Sequence, residues 1–473
     1  MIRGILGGLL VTALLSGCAT GVQEVRQPEQ VEAQDAIAEP KTSEEESKSP
    51  PPSWTQPASP SPAEACRVID GQPEEARLAL AGTPFNGKRS RGNIGFPLSP
   101  GSLPVEGKAN FVAVMVGFQD APPTNTDPEA FLRPQVDKMT EWSEFWSQGK
   151  LSYRFQLVDD WITLPVNHAD YPVGSHVDYR ISRANATEVI KMVTASLPAD
   201  LDYENLDGVL AYWAPGIHSF RGDLALRGYE GVPLPFPVGD KQIGFWSGNN
   251  YHHTTSGNLT PEKKAEFTWS FWSYLLLFAQ GLHNHGPGNG WPVGIQQIQE
   301  SAGKFSGAIN GWDVFKLGWL EDTQVHCMEP DVLDVPSEFI LQSREISGGE
   351  KRLAIVPFVD KGAIVIESRR PVDWSESWDK DDSGLLVYFV DTELDVERVD
   401  EFTRGGCGPS EEDKKWAYFL YKDGFTGDCR SFSNAFIREG DALTFESIQI
   451  ELVHSAEAKD YVRVQSISPS EQK

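Results

Sequence analysis

Two kinds of apolar pattern alternate between residues 105 and 325. The run FVAVMVGF at 111–118 is apolar without a break after a Gly/Pro-rich lead-in, and it predicts a buried strand over 110–119. LDGVLAYWA at 206–214 has the same texture and predicts a second central strand. Residues 151–164 alternate between turn signals and also read as strand. Residues 128–146 and 185–197 are amphipathic at the helical period and predict helices. A third helix is predicted over 261–282, with Pro261 near its start and Gly281 near its end. Its second half, FTWSFWSYLLLFAQGL, is apolar on nearly every face, which places it inside a core.

The texture changes after Cys327. Short apolar runs follow one another at 353–360, 363–369, 385–391, 416–422, 443–454 and 461–468, separated by Gly, Asp and Ser turns. That spacing predicts a β-rich, sandwich-like unit, and no repeat of solenoid or propeller period is present. The fold class expected is therefore α+β, with one domain over 66–326 and a β-rich C-terminal domain over 327–473.

The first residues, MIRGILGGLLVTALLSGC, hold one Arg and an apolar core too short to span a bilayer, as in an export signal. Leu15-Ser16-Gly17-Cys18 resembles the lipobox of bacterial lipoproteins. The resemblance implies removal of residues 1–17 and acylation of Cys18, with membrane attachment through the acyl chains. The other reading is an ordinary signal whose cysteine is incidental. Residues 18–65 are rich in Pro, Glu, Ser, Gln and Ala, with acidic residues at 44–46 and prolines at 50–52. Such a segment cannot bury a core and reads as an extended tether. The location expected is the cell envelope, outside the cytoplasm.

The formal net charge of −27 argues against nucleic acid as a partner, because an acidic surface repels phosphate. Four cysteines follow Cys18: Cys66, Cys327, Cys407 and Cys429. Export and an even count suit disulfides. Of the three pairings possible, the short loop between Cys407 and Cys429 favours Cys407–Cys429 with Cys66–Cys327; the alternative is four buried thiols.

Several segments, in order, resemble the immune-inhibitor-A-like family of secreted bacterial metallopeptidases. They are FVAVMVGFQD, EFWSQGKLSYRFQLVDDWITLP, LDGVLAYWAP, GAINGWDVFKLGWLED, AIVIESRR and SGLLVYFVDTELD, covering roughly residues 105 to 395. The resemblance implies a zincin-like domain whose central helix carries H-E-x-x-H. In that motif two histidines on one helical face hold zinc, and the Glu takes a proton from the zinc-bound water. Placing Gly281 on the family's glycine puts the first His position at Tyr274, the Glu at Leu275, the second His at Phe278 and the third ligand at Asn284. None of these is a usual zinc ligand or base. The resemblance thus implies the fold without the chemistry, a pseudoenzyme that binds a peptide or protein in the old cleft, with no cofactor expected.

His283 and His285 keep an alternative open. On a helix they point about 200° apart, but in an extended chain they face one side and could share zinc, with His252 or His253 adding a ligand. That alternative is an active metallopeptidase with unusual ligands; the bland one is loop histidines hydrogen-bonded at the end of a core helix. Asp379, Asp381 and Asp382 cluster in a turn and form a possible calcium site, or a solvated loop. Trp374 and Trp378, with Tyr251 and His252, are read as exposed aromatics of a groove, or as core and rim packing. No G-x-S-x-G or P-loop pattern occurs. A purely structural envelope module is the third reading.

Overall fold

The computed structural model describes residues 60–70, 93–172, 179–214, 236–238, 241–247, 268–282, 307–358, 361–376, 378–393, 417–427 and 432–468. All of these belong to one compact unit, Pro50–Lys473. The class is mixed α+β, with three sheets and few helices among the described residues.

The first sheet is built around β1 (Gly107–Phe118), flanked by β2 (Leu151–Leu157) and β4 (Gly208–Trp213), with β3 (Ile162–Leu164) continuing the β2 side. Next come β6 (Lys241–Ser247) and β5 (Phe236–Val238), giving the order β2-β1-β4-β6-β5. Every pairing is parallel except β5 with β6. Parallel strands covered on both faces read as unbroken apolar runs, which is why 111–118 and 209–213 lack alternation. Phe111, Ala113 and Met115 of β1 point into one core, and Val112, Val114 and Val116 into another. Helices α1 (Pro128–Trp146) and α3 (Thr268–Ala279) cover the first face, and α2 (Tyr179–Ala195) the second.

Helix α1 starts where the sequence says it should. Asp127 caps it by accepting the Ala130 N–H at 2.8 Å, and Pro128 occupies the first turn, where its missing N–H costs nothing. The helix then runs along the outer edge of β2. Ser147 Oγ donates to Leu151 O and accepts Leu151 N–H, Ser143 Oγ accepts Tyr153 N–H, and Thr140 Oγ1 donates to Tyr153 O. Hydroxyls of a helix thus do what a further strand would do.

A short helix, α4 (Gly311–Lys316), leads into the β-rich half. Asn310 caps it by accepting the Asp313 N–H. The second sheet comprises β7 (Val325–Cys327), β9 (Leu353–Phe358), β10 (Gly362–Arg369), β11 (Gly384–Asp391), β12 (Ala417–Phe419) and β13 (Phe436–Ile437). The third orders β14 (Ala442–Phe445), β15 (Ile448–Ser455), β16 (Lys459–Ser466) and β8 (Ser337–Gln342). These two sheets pack face to face: Ile364, Ile366, Val387 and Phe389 meet Phe339, Ile450, Leu452, Val462 and Val464 in one core. Burying each such side chain contributes roughly 1.5–3 kcal/mol.

The third sheet is covered on one face, so β15 and β16 alternate buried with half-buried positions. The predicted strand over 443–454 is two strands, β14 and β15, joined at Glu446 and Ser447, which both have positive φ. The second sheet is covered on both faces. Its other face, with Val365, Leu386, Tyr388 and Val390, packs into the same core as α1, α3 and α4. Among the described residues one apolar core holds side chains from both sides of 326/327.

Candidate functional site

The site that the sequence singles out is α3 and the chain that follows it. Its start is tied to α1, where Gln135 Oε1 accepts the Trp269 N–H at 2.9 Å inside the core. Within α3 nine residues are buried, and only Phe271, Tyr274 and Phe278 are half-buried. Those three lie at spacings of three and four, so they form one stripe along the helix. Their rings follow one another: Phe271 stacks near Tyr274 with centroids 6.3 Å apart, and Tyr274 meets Phe278 edge-on at 4.6 Å. Leu275 is 4% exposed and belongs to the core with Leu276 and Leu277. The helix contains no Asp, Glu, His, Lys, Arg or Cys.

The end of the helix has a specific geometry. Gly281 N–H donates to Phe278 O at 2.9 Å and Leu282 N–H to Leu277 O at 3.2 Å, the two bonds of a Schellman turn. Gly281 has φ +97, and a Cβ there would lie 2.0 Å from Ser99 O. Glycine is required on both counts. Helical bonding therefore ends two residues before His283. His283, Asn284 and His285, like Tyr251, His252 and His253, lie outside the described residues, as do Cys18, Cys407 and Cys429.

A strap formed by residues 99–104 crosses this end of the helix. Leu103 N–H donates to Ala279 O at 3.0 Å, and Gln280 Nε2 to Pro104 O at 2.8 Å. Gly101 approaches so closely that a Cβ would lie 2.4 Å from Ala279 O. Gln280 Oε1 accepts the Tyr153 hydroxyl at 3.2 Å. Burial pushes the Tyr153 phenol far above its ordinary range, and that of Tyr212 up to about 12, so both stay neutral. The surroundings of α3 thus hold neutral donors and acceptors.

Among the described residues no three His, Cys, Asp or Glu side chains are placed to hold a metal ion. Asp379, Asp381 and Asp382 do not converge. Asp382 is buried and accepts the Asp379 N–H at 2.9 Å, closing the turn on itself, while Asp379 and Asp381 are exposed. Trp378 is not the exposed aromatic that one of its two sequence readings made it. It is 5% exposed, with the Arg369 guanidinium 5.0 Å from its ring centroid. Trp374 is half-buried and packs on Trp269 and Phe145 with centroids 5.5 and 6.2 Å away. Cys66 and Cys327 form a disulfide with Cα atoms 5.7 Å apart, both fully buried. No described helix is long and apolar enough to cross a membrane.

The ionised groups that are buried lie elsewhere, where the two halves meet. Glu345 is fully buried and accepts four hydrogen bonds, from Arg369 Nε, Ser375 Oγ, the Arg370 N–H and Ser343 Oγ, at 2.7–3.0 Å. Arg369 Nη1 also donates to Glu367 Oε1 at 3.0 Å. Arg370 forks onto Asp460 at 2.7 and 3.0 Å. The Arg344 guanidinium lies 5.5 Å from the Trp146 ring of α1. Burial raises the Glu367 carboxyl and lowers Arg344, with each group's opposite charges pulling back. Nearby, Lys316 is buried and donates to Asn93 O; burial pushes its ammonium down to about 8, against the pull of Asp313 and Asp70.

None of these residues was singled out from sequence. The signal available was Ile-Glu-Ser-Arg at 366–369, where two charges share one face of a strand otherwise buried on both. No protein-family model matches the chain, and no curated protein matches it.

Proposed function

We propose that the chain is an exported, lipid-anchored protein whose zincin-like α/β domain has given up zinc and peptide hydrolysis and acts by binding a peptide or protein ligand. One observation carries the reading. The positions that the motif assigns to two zinc ligands and a base hold Tyr274, Phe278 and Leu275, two of them ring against ring and the third in the core. Hydrolysis at such a site needs a Lewis acid or a base within reach of the scissile carbonyl. The α3 face offers aromatic and aliphatic carbon, which suits apolar side chains of a ligand.

Elemental analysis of the purified protein tests this. Less than one zinc in ten chains, with no cleavage of a peptide library, is the expected outcome, roughly a tenth of what a resident site requires. Stoichiometric zinc that disappears in the His283→Ala/His285→Ala variant would overturn it in favour of a metallopeptidase with relocated ligands. Failure to capture any peptide from the same library would favour a structural envelope module.

A further inference from the structure

The disulfide has a place in the chain that its stabilising role does not require. It joins Cys66, at the point where the tether meets the body, to Cys327, the last residue of β7, across 261 residues. Ser61 N–H donates to Cys327 O at 3.0 Å, so the end of the tether also lies along the free edge of β7. Residues 60–70 also meet the body through a short bridge, in which Phe96 N–H donates to Val68 O and Asp70 N–H to Phe96 O, and through Arg67 over the Phe315 ring. Ala63, Cys66 and Val68 are their buried apolar side chains. Arg67 pairs with Asp322 at 2.9 Å on the surface, and Asp70 Oδ2 accepts the Ile94 and Gly95 N–H groups. So small an apolar surface does not hold a segment tightly once its chain is cut.

We propose that the Cys66–Cys327 bridge is the joint by which the body hangs from its N-terminal anchor. The inference rests on the lipid-anchored reading above. A pull on the tether enters the body at Cys327 on the second sheet, before it reaches the chain beyond Asp70. A cut anywhere between Asp70 and Asn93 leaves the body attached. Release needs a second event, transfer of two electrons and two protons from a dithiol reductant to the bridge, which leaves two thiols and an oxidised reductant. Because both sulfurs are buried, reduction requires the segment to open first.

The test uses full-length lipidated protein with a site-specific protease sequence inserted after Gly82, reconstituted into phosphatidylcholine vesicles and followed by flotation. Cleavage without reductant leaves the body in the floated fraction, and cleavage followed by dithiothreitol loses it. The Cys66→Ser/Cys327→Ser variant loses it on cleavage alone. Wild-type body released without reductant, or cleaved double variant that floats as wild type does, would overturn the proposal. If the uncut protein does not float, the anchoring reading fails instead. The joint is then read on a non-reducing gel, where the N-terminal fragment must stay with the wild-type body and leave the variant. The comparison of wild type with and without reductant needs no variant that folds.

Discussion

The α/β half and the junction with the β-rich half bury polar groups in opposite ways. Around α3 the buried contacts are neutral: Gln135 on the Trp269 N–H, Tyr153 on Gln280, Gln280 on Pro104, and serine hydroxyls on β2. In the β-rich half they are ion pairs, Glu345 and Glu367 with Arg369 on the side that meets α4, and Asp460 with Arg370 between the second and third sheets. Neutral contacts are indifferent to pH and cheap to lose singly. Buried ion pairs add little over an apolar core of the same volume but are costly to break, because the partner is left charged in a dry site. In this chain the buried charges and the helix singled out from sequence therefore lie in different places. The helix α3 itself carries no Asp, Glu, His, Lys, Arg or Cys.

The largest effect that separates the two regions is expected at the junction. Glu345→Ala leaves Arg369 with Glu367 alone and strips the partner from two serine hydroxyls and the Arg370 N–H, and it should cost about 3–5 kcal/mol in urea unfolding. A loss under 1 kcal/mol would mean that water replaces the carboxylate, and the contrast would collapse.

Next comes pH. Burial pushes His326, which stacks on Phe339 with ring centroids 4.2 Å apart, down to about 4. Between pH 6.5 and 4 the unfolded chain holds a proton that the folded one does not, so stability rises with pH through that window. Acidification from 6.5 to 4 should remove up to about 3 kcal/mol, and His326→Gln should flatten that part of the profile. A profile unchanged by the substitution would locate the acid sensitivity elsewhere. Lys316 acts at the other end. The folded chain releases its proton near pH 8 and the unfolded one near 10.5, so this group adds stability as pH rises between those values.

Gly281→Ala comes third, on the neutral side. It combines positive φ with a Cβ that meets Ser99 O, and about 1–3 kcal/mol is expected from the backbone alone. Thermal melting at one pH reads it, and a neutral outcome would mean that the strap gives way. The smallest effect is Ser147→Ala, which strips both polar contacts from Leu151 at the edge of β2 and should cost about 1 kcal/mol by urea titration, independent of pH. A dependence on pH there would erase the distinction between the two regions.

The elements most legible in the sequence were those with one dominant constraint. Doubly covered strands showed as unbroken apolar runs at 111–118 and 385–390, and α1 announced itself through Asp127, Pro128 and its amphipathic period. The pairing of Cys66 with Cys327 followed from counting and from the nearness of the other two cysteines. The helix α4 was not legible, because six residues are too few for a period and its anchor is a cap. β8 escaped for another reason: Ser337-Glu-Phe-Ile-Leu-Gln carries polar ends that look like loop, and Glu338 is buried only because Arg463 of β16 meets it. Charges around 344–370 read as solvated because nothing local says that a second half of the molecule will cover them. At the candidate site the absence of ligand-type side chains on α3 was plain from sequence. The Schellman exit at Gly281 and the strap over it were not, since residues 99–104 meet the helix only through the fold.

The hydroxyls that α1 lays along β2 have a further consequence. An exposed strand edge invites a strand from another molecule, and that hazard grows with crowding. On this molecule the outer edge of β2 is occupied by Thr140, Ser143 and Ser147. Ser61 bonds β7 at Cys327, and Asp423 takes the Thr444 N–H and hydroxyl on the far side of β14. At these three edges the backbone groups of Leu151, Tyr153, Cys327 and Thr444 already have partners. A strand from a second copy is thereby denied these positions as a template.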